Sequence, residues 1–174
     1  MKKKLLFALP LLFILFAASA QKLQTFSTTI QYDGKSYLSI KNKKAYTKEG
    51  ADSAKAAIDF ALIATFENNS QTLEWYNMSG RDSKVPASLV GSSTMINGIS
   101  FDRDQFDKCA TVADLYRMTG HITPNSFSHF ASISHSDVFN NHCFIVQLET
   151  GKRALFYITV IKPNEFKLDV KVQE

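Results

Sequence analysis

The clearest pattern in the chain lies at its end, where Phe166, Leu168, Val170 and Val172 alternate with Lys167, Asp169 and Lys171. Successive side chains of a strand point to opposite faces, so this alternation predicts a strand with one face on a core and the other in water. Two apolar runs precede it, 144–148 and 154–161, separated by Glu149-Thr150-Gly151-Lys152, and Lys162-Pro163-Asn164-Glu165 makes the next turn. Three strands joined by two short turns predict an antiparallel meander.

Near the other end, Phe26, Thr28, Ile30 and Tyr32 share one face of a predicted strand, and Asp33-Gly34 follows at once. Asp-Gly between β-prone runs favours a type I′ turn, with positive φ at both central positions, so residues 36–40 are expected to return as the second strand of a hairpin. Between 46 and 66, Ala51, Ala54, Ala56 and Ala57 favour helix, while Ile58-Asp59-Phe60-Ala61-Leu62-Ile63 suits a buried strand. A short helical turn followed by a strand is expected there. Asp59 interrupts the apolar run. Charges are almost never buried unpaired, so it is expected to face solvent, the alternative being burial with a partner.

From 67 to 99 no period of two or 3.6 persists, which predicts loops and one short strand near Trp75-Tyr76. Trp75, Tyr76 and Met78 either fill the core, as expected of large aromatics in a small domain, or offer a platform for a sugar or peptide. Phe101, Phe106, Cys109, Val112 and Leu115 approximate a helical stripe across 100–119, Thr111 with Asp114 has the spacing of a cap, and Gly120 is placed to end the helix. A shorter helical segment is expected around 124–133. These elements define an α+β fold, mainly antiparallel β, with an N-terminal hairpin, a C-terminal three-stranded meander and one or two short helices packed on the sheet.

Composition changes this picture at one end only. The chain has 174 residues, 45% hydrophobic and 21% charged, with 7 Gly and 4 Pro, which excludes a disordered or collagen-like protein. Lys2, Lys3 and Lys4, the apolar stretch 5–16 and the small residues Ala17-Ala18-Ser19-Ala20 have the three-part form of a cleavable signal peptide. The apolar stretch is shorter than the roughly 20 residues of a membrane-spanning helix. Cleavage after Ala20 is expected, with an uncleaved anchor as the alternative, leaving residues 21–174 as one β-rich domain without a transmembrane segment. Localisation is then periplasmic or extracellular.

Removing that segment leaves 17 basic against 16 acidic residues, a formal charge of +1. The only dense basic run is Lys41, Lys43, Lys44 and Lys48, which reads as a solvated turn, so no nucleic-acid partner is expected. Cys109 and Cys143 are candidates for a disulfide, since export permits one. It would close a loop of about 35 residues, worth roughly 3 to 4 kcal/mol in the chain-entropy model. Two buried thiols are the alternative.

The ending Gly151-Lys152, Leu155-Phe156-Tyr157-Ile158 and Phe166 through Gln173, together with the Ile58-Asp59-Phe60 strand, resembles small secreted or envelope proteins of Bacteroidota with β-rich domains of unassigned function. The resemblance implies an envelope or extracellular setting and a role in binding, adhesion or surface assembly. It carries over no catalytic residues.

All four histidines, His121, His129, His135 and His142, fall within 22 positions, with Asp137 among them and Cys143 adjacent. Imidazole, thiolate and carboxylate are ligands for zinc or copper, but the spacings match no standard template, and histidines spread along a polar loop are expected. The same segment supports an alternative reading as a metal-dependent or Cys/His hydrolase, with Cys143 attacking and a histidine as base. No nucleophile elbow, phosphate loop or dinucleotide fingerprint is present in the sequence. Asp102, Asp104 and Asp107 suit a helix N-terminus. Asn68 and Asn77 head Asn-x-Ser sequons. The chain is therefore read as an exported, non-enzymatic binding, adhesion or assembly module with no cofactor, whose partner is an envelope or extracellular protein or glycan.

Overall fold

The computed structural model describes residues 21–54, 57–67, 70–78, 86, 88–89, 91–92, 94–98, 101–134 and 143–174. The predicted signal segment lies outside these residues. Ten strands are present among them: β1 (Gln24–Gln31), β2 (Tyr37–Ser39), β3 (Lys44–Tyr46), β4 (Phe60–Glu67), β5 (Ser70–Asn77), β6 (Met95–Asn97), β7 (Phe130–Ser134), β8 (Cys143–Gln147), β9 (Arg153–Lys162) and β10 (Glu165–Val172). They form two antiparallel sheets, ordered β1-β10-β9-β8-β6 and β3-β2-β4-β5-β7. The helices are α1 (Lys48–Ala54), α2 (Arg103–Lys108) and α3 (Val112–Thr119), with a 3₁₀ turn at Pro124–Ser126.

The main core lies between the two sheets and contains Ile30, Leu38, Leu62, Phe144, Phe166 and Leu168. Its centre is aromatic: the Phe60 ring stands edge-on to both Trp75 and Phe156, with centroids 6.2 and 5.8 Å away. A second core lies on the outer face of the first sheet, where α2 and α3 lay Phe106, Val112 and Leu115 over Ile145, Leu155 and Tyr157. A third, smaller cluster sits on the second sheet's outer face and joins Ala51 of α1 to Ala61, Tyr76 and Met78. This layering explains why 144–146 and 154–158 read as unbroken apolar runs, since strands covered on both faces need no polar alternation.

The C-terminal meander is present as β8-β9-β10. The N-terminal hairpin is not. β1 pairs with β10 over eight consecutive positions, from Gln24 opposite Val172 to Gln31 opposite Glu165, whereas β2 joins β3 and β4 in the facing sheet. A full-length ladder against β10 outweighs a three-residue one against β2. The Asp33-Gly34 turn accordingly bridges the two sheets, and neither residue takes positive φ, which among the described residues occurs at Lys43 and Gly151.

The region 67–99 holds more strand than its pattern suggested, with all of β5 in addition to β6. The expected helix over 100–119 is divided at Cys109 and Ala110 into α2 and α3. Each half opens with a capping box, Asp102 with Gln105 and Thr111 with Asp114, and Gly120 caps the second. Of the helical segment expected at 124–133, only the 3₁₀ turn is helical, and β7 follows it.

Three charged side chains hold the helical layer to the sheet. Lys171 Nζ donates to the carbonyls of Phe106, Asp107 and Cys109 at 2.7 to 3.1 Å, satisfying acceptors that the end of α2 leaves open. Arg153 donates to the Thr119 hydroxyl at 2.8 Å and to the Ile122 carbonyl at 3.0 Å. Arg103 bonds Asp169 at 2.9 Å. The polar face of β10 is thus roofed by α2, and Asp169 is buried where the alternation predicted water.

β1 is an edge of the first sheet. Its two ends are closed within the plane: the Leu23 N–H donates to the Ala110 carbonyl at 3.3 Å, and the Gln31 N–H to the Lys35 carbonyl at 3.1 Å.

Candidate functional site

At one end of the sandwich the two sheets part around a cleft of about 510 Å³. Ile40 and Lys41 after β2, Ala57 and Asp59 before β4, Ser92 and Thr94 before β6, and Leu148 to Thr150 in the β8–β9 turn line it, together with Gln24 of β1 and Val172 to Glu174 at the end of β10.

Local geometry sets each of these segments. The β8–β9 turn closes through bonds of Leu148 N–H to the Lys152 carbonyl and Gly151 N–H to the Leu148 carbonyl, both 2.8 Å, with Gly151 at φ 79°. An L side chain is disfavoured at that φ, so glycine places Glu149 and Thr150 at the rim. Across the cleft, Gly91 bridges Ile58 and the Ser92 N–H donates to the Ile58 carbonyl at 3.0 Å. A Cβ on Gly91 would lie 1.7 Å from Cβ of Met78, so only glycine lets this segment approach closely enough to aim Ser92 and Thr94 inward.

Asp59 forms the floor. It is 7% exposed, and the expectation that it faces solvent is overturned. Its N–H donates to the Leu38 carbonyl at 2.8 Å, which turns the side chain inward. Oδ2 accepts from the Ile40 N–H at 2.7 Å, and Oδ1 accepts from the Ser92 and Thr94 hydroxyls at 2.7 and 2.9 Å. Those hydroxyl oxygens are themselves 2.7 Å apart. Among the described residues no lysine or arginine forms an ion pair with Asp59. A buried carboxylate survives without a cation when several dipoles solvate it in place of water, and three donors do so here.

The residues singled out in the sequence fall elsewhere. Trp75 is 0% exposed and Tyr76 is buried, so neither offers a face for stacking; both fill cores. Among the described residues the buried Trp75 indole N–H has no hydrogen-bond acceptor. Cys109 and Cys143 are free thiols in the core beneath α2 and α3, which corrects the expected disulfide. Both side chains pack among apolar neighbours of the same core. Burial pushes the Cys109 thiol up to about 11 and raises Cys143 further still. A buried, protonated thiol supplies no nucleophile.

His121 and His129 are exposed, and His129 Nδ1 lies 3.0 Å from Asn77 Nδ2. His135, His142 and Asp137 lie outside the described residues, as does Asn68. Among the described residues no three His, Cys, Asp or Glu side chains gather to hold a metal ion. Asn77 is fully buried, with its amide donating to the Thr94 carbonyl at 2.7 Å. Sequence reasoning noticed Asp59 but missed Ile40, Lys41, Ser92 and Thr94. The one signal available was a carboxylate inside an apolar run.

The architecture is an antiparallel two-sheet sandwich with two helices on the outer face of one sheet, a short helix on the outer face of the other, and a cleft with a polar floor at one end. No family model matches the sequence, and no curated protein matches it. In fold the chain is similar to the crystal structure of a DUF4466 family protein from Parabacteroides merdae, with a TM-score of 0.59 and 16% identity. The match covers 87% of this chain and 54% of that protein, so the chain spans about half its length. No helix among the described residues is long and apolar enough to cross a membrane.

Proposed function

We propose that the chain is an exported, non-enzymatic binding domain of the bacterial envelope or cell exterior, and that the cleft around Asp59 is its ligand site. The observation that carries this reading is the buried carboxylate at the floor of the cleft, held among the described residues by neutral donors alone. A site of this size takes a small ligand or a few residues of a polymer, with apolar walls for contact and a few polar groups for orientation. Catalysis finds less support there. The Asp59 carboxylate already accepts three hydrogen bonds, and no described histidine lines the cleft as a base for Ser92. The signal-like segment supports the envelope setting.

The test is a screen of peptide and oligosaccharide libraries by two-dimensional amide NMR. Shifts concentrated at Gln24, Lys41, Ser92 and Gln173, with the ligand recovered unchanged, are expected. Shifts confined to another surface, or turnover of the ligand, overturn the reading.

A further inference from the structure

The proton inventory of the cleft floor selects its ligand. Ser92 and Thr94 each own one hydroxyl proton, and among the described residues the oxygens within 2.9 Å that compete for them are Asp59 Oδ1 and the other hydroxyl. The N–H on the opposite side, from Ile40, is spent on Asp59 Oδ2. Whichever way the hydroxyls turn within this set, their protons stay inside it, and what faces the cleft is lone pairs on a negatively charged centre. Ser92 is the half-buried member and the point of access, while Thr94 and Asp59 lie beneath it.

An acceptor-only floor bearing a negative charge rejects carboxylates, phosphates and sulfates, and pairs best with a group that has only donors and a positive charge. A primary ammonium has three donors and no acceptor. Above the floor the walls include Ile40, Leu148 and Val172. They match the apolar four-carbon stem of a lysine, which buries its methylenes while its ammonium reaches a polar end. An amino sugar carries its ammonium directly on a hydroxylated ring and would set those hydroxyls against apolar walls. Resting on the reading of this cleft as a ligand site, we infer that it captures the lysine side chain of an extended peptide segment from a partner protein, with the ammonium seated over Ser92 and Asp59.

The experiment titrates the full chain with the capped tripeptide Ala-Lys-Ala, the same peptide acetylated at the lysine Nζ, and glucosamine, each followed by amide NMR. The unmodified peptide is expected to shift Lys41 and Ser92, with acetylation weakening binding at least tenfold. Lys41→Glu is expected to tighten binding, since it removes a competing cation from the wall, and this variant leaves the buried floor intact. Equal binding of the acetylated peptide, or preferential binding of glucosamine at the same residues, overturns the lysine inference and leaves the cleft as a ligand site. Absence of cleft shifts with all three ligands, together with shifts elsewhere in the library screen, overturns both.

Discussion

Asp59 and Asp169 are buried to nearly the same degree, 7% and 8% exposed, but what balances their charges differs in kind. Asp169, on the outer face of β10 beneath α2, meets Arg103 and Lys167 at 2.9 Å and accepts the Ser27 hydroxyl. Its charge is cancelled within the molecule. Asp59, at the mouth of the sandwich, meets one backbone N–H and two hydroxyls. Its charge is solvated but not cancelled, and the surplus faces a cleft. Burial by itself therefore does not separate a structural carboxylate from a functional one; the kind of partner does.

The sharpest way to break this comparison is to delete each carboxylate. Asp59→Ala strands a buried N–H and two hydroxyls and is expected to cost about 3 kcal/mol. Asp169→Ala is expected to cost only about 1 kcal/mol, because its partners rehydrate. Arg103 and Lys167 are 45% and 48% exposed at their side chains. Urea unfolding measures both, and equal costs would erase the distinction. Next in size is Gly91→Ala, whose Cβ overlaps Met78. A loss of about 2 kcal/mol is expected, with weakened ligand binding because Ser92 is displaced.

A smaller effect concerns Asp169 and pH. Burial alone would raise the Asp169 carboxyl, but the Ser27 hydroxyl, Lys167 and Arg103 outweigh it and hold it below its ordinary value. A carboxylate whose folded pKa lies below its unfolded one contributes stability that is complete above the unfolded value. That contribution is lost as pH falls through the folded value. Wild type is expected to lose stability between about pH 5 and pH 3 more steeply than Asp169→Asn, and parallel curves would refute this. Smallest of all, a reductant is expected to leave the unfolding midpoint unchanged, since the thiols beneath α2 and α3 are free. A lowered midpoint would show a bond between them.

Much of the fold was legible because its determinants are local. The alternation of β10 and the Thr111-Asp114 box each complete their pattern within one element, and the buried positions Phe106 and Leu115 were read correctly although they fall on two helices and not one. Asp33-Gly34 misled because a turn signal reports a change of direction and not which strand is met afterwards. β5 was missed because Gln71, Thr72 and Glu74 break its apolar pattern, and its register is fixed by β4 and β7. At the site, Asp59 was visible and its partners were not. They lie 19, 33 and 35 residues away, and only the packed sheets bring Ile40, Ser92 and Thr94 to it.

The closed ends of β1 bear on how the protein survives at high concentration. Residues 24–31 contain neither charge nor proline, the usual devices that stop an edge strand from recruiting another chain. Strand β3, an edge of the other sheet, opens with Lys44 and is preceded by Lys43. For β1 the guard is steric. The Ala110 segment lies against one end and Lys35 against the other, which shortens the stretch free to pair with a second chain. Charge guards the β3 edge and obstruction narrows the β1 edge, so loosening the short link between α2 and α3 is expected to open more of β1 to pairing with another chain.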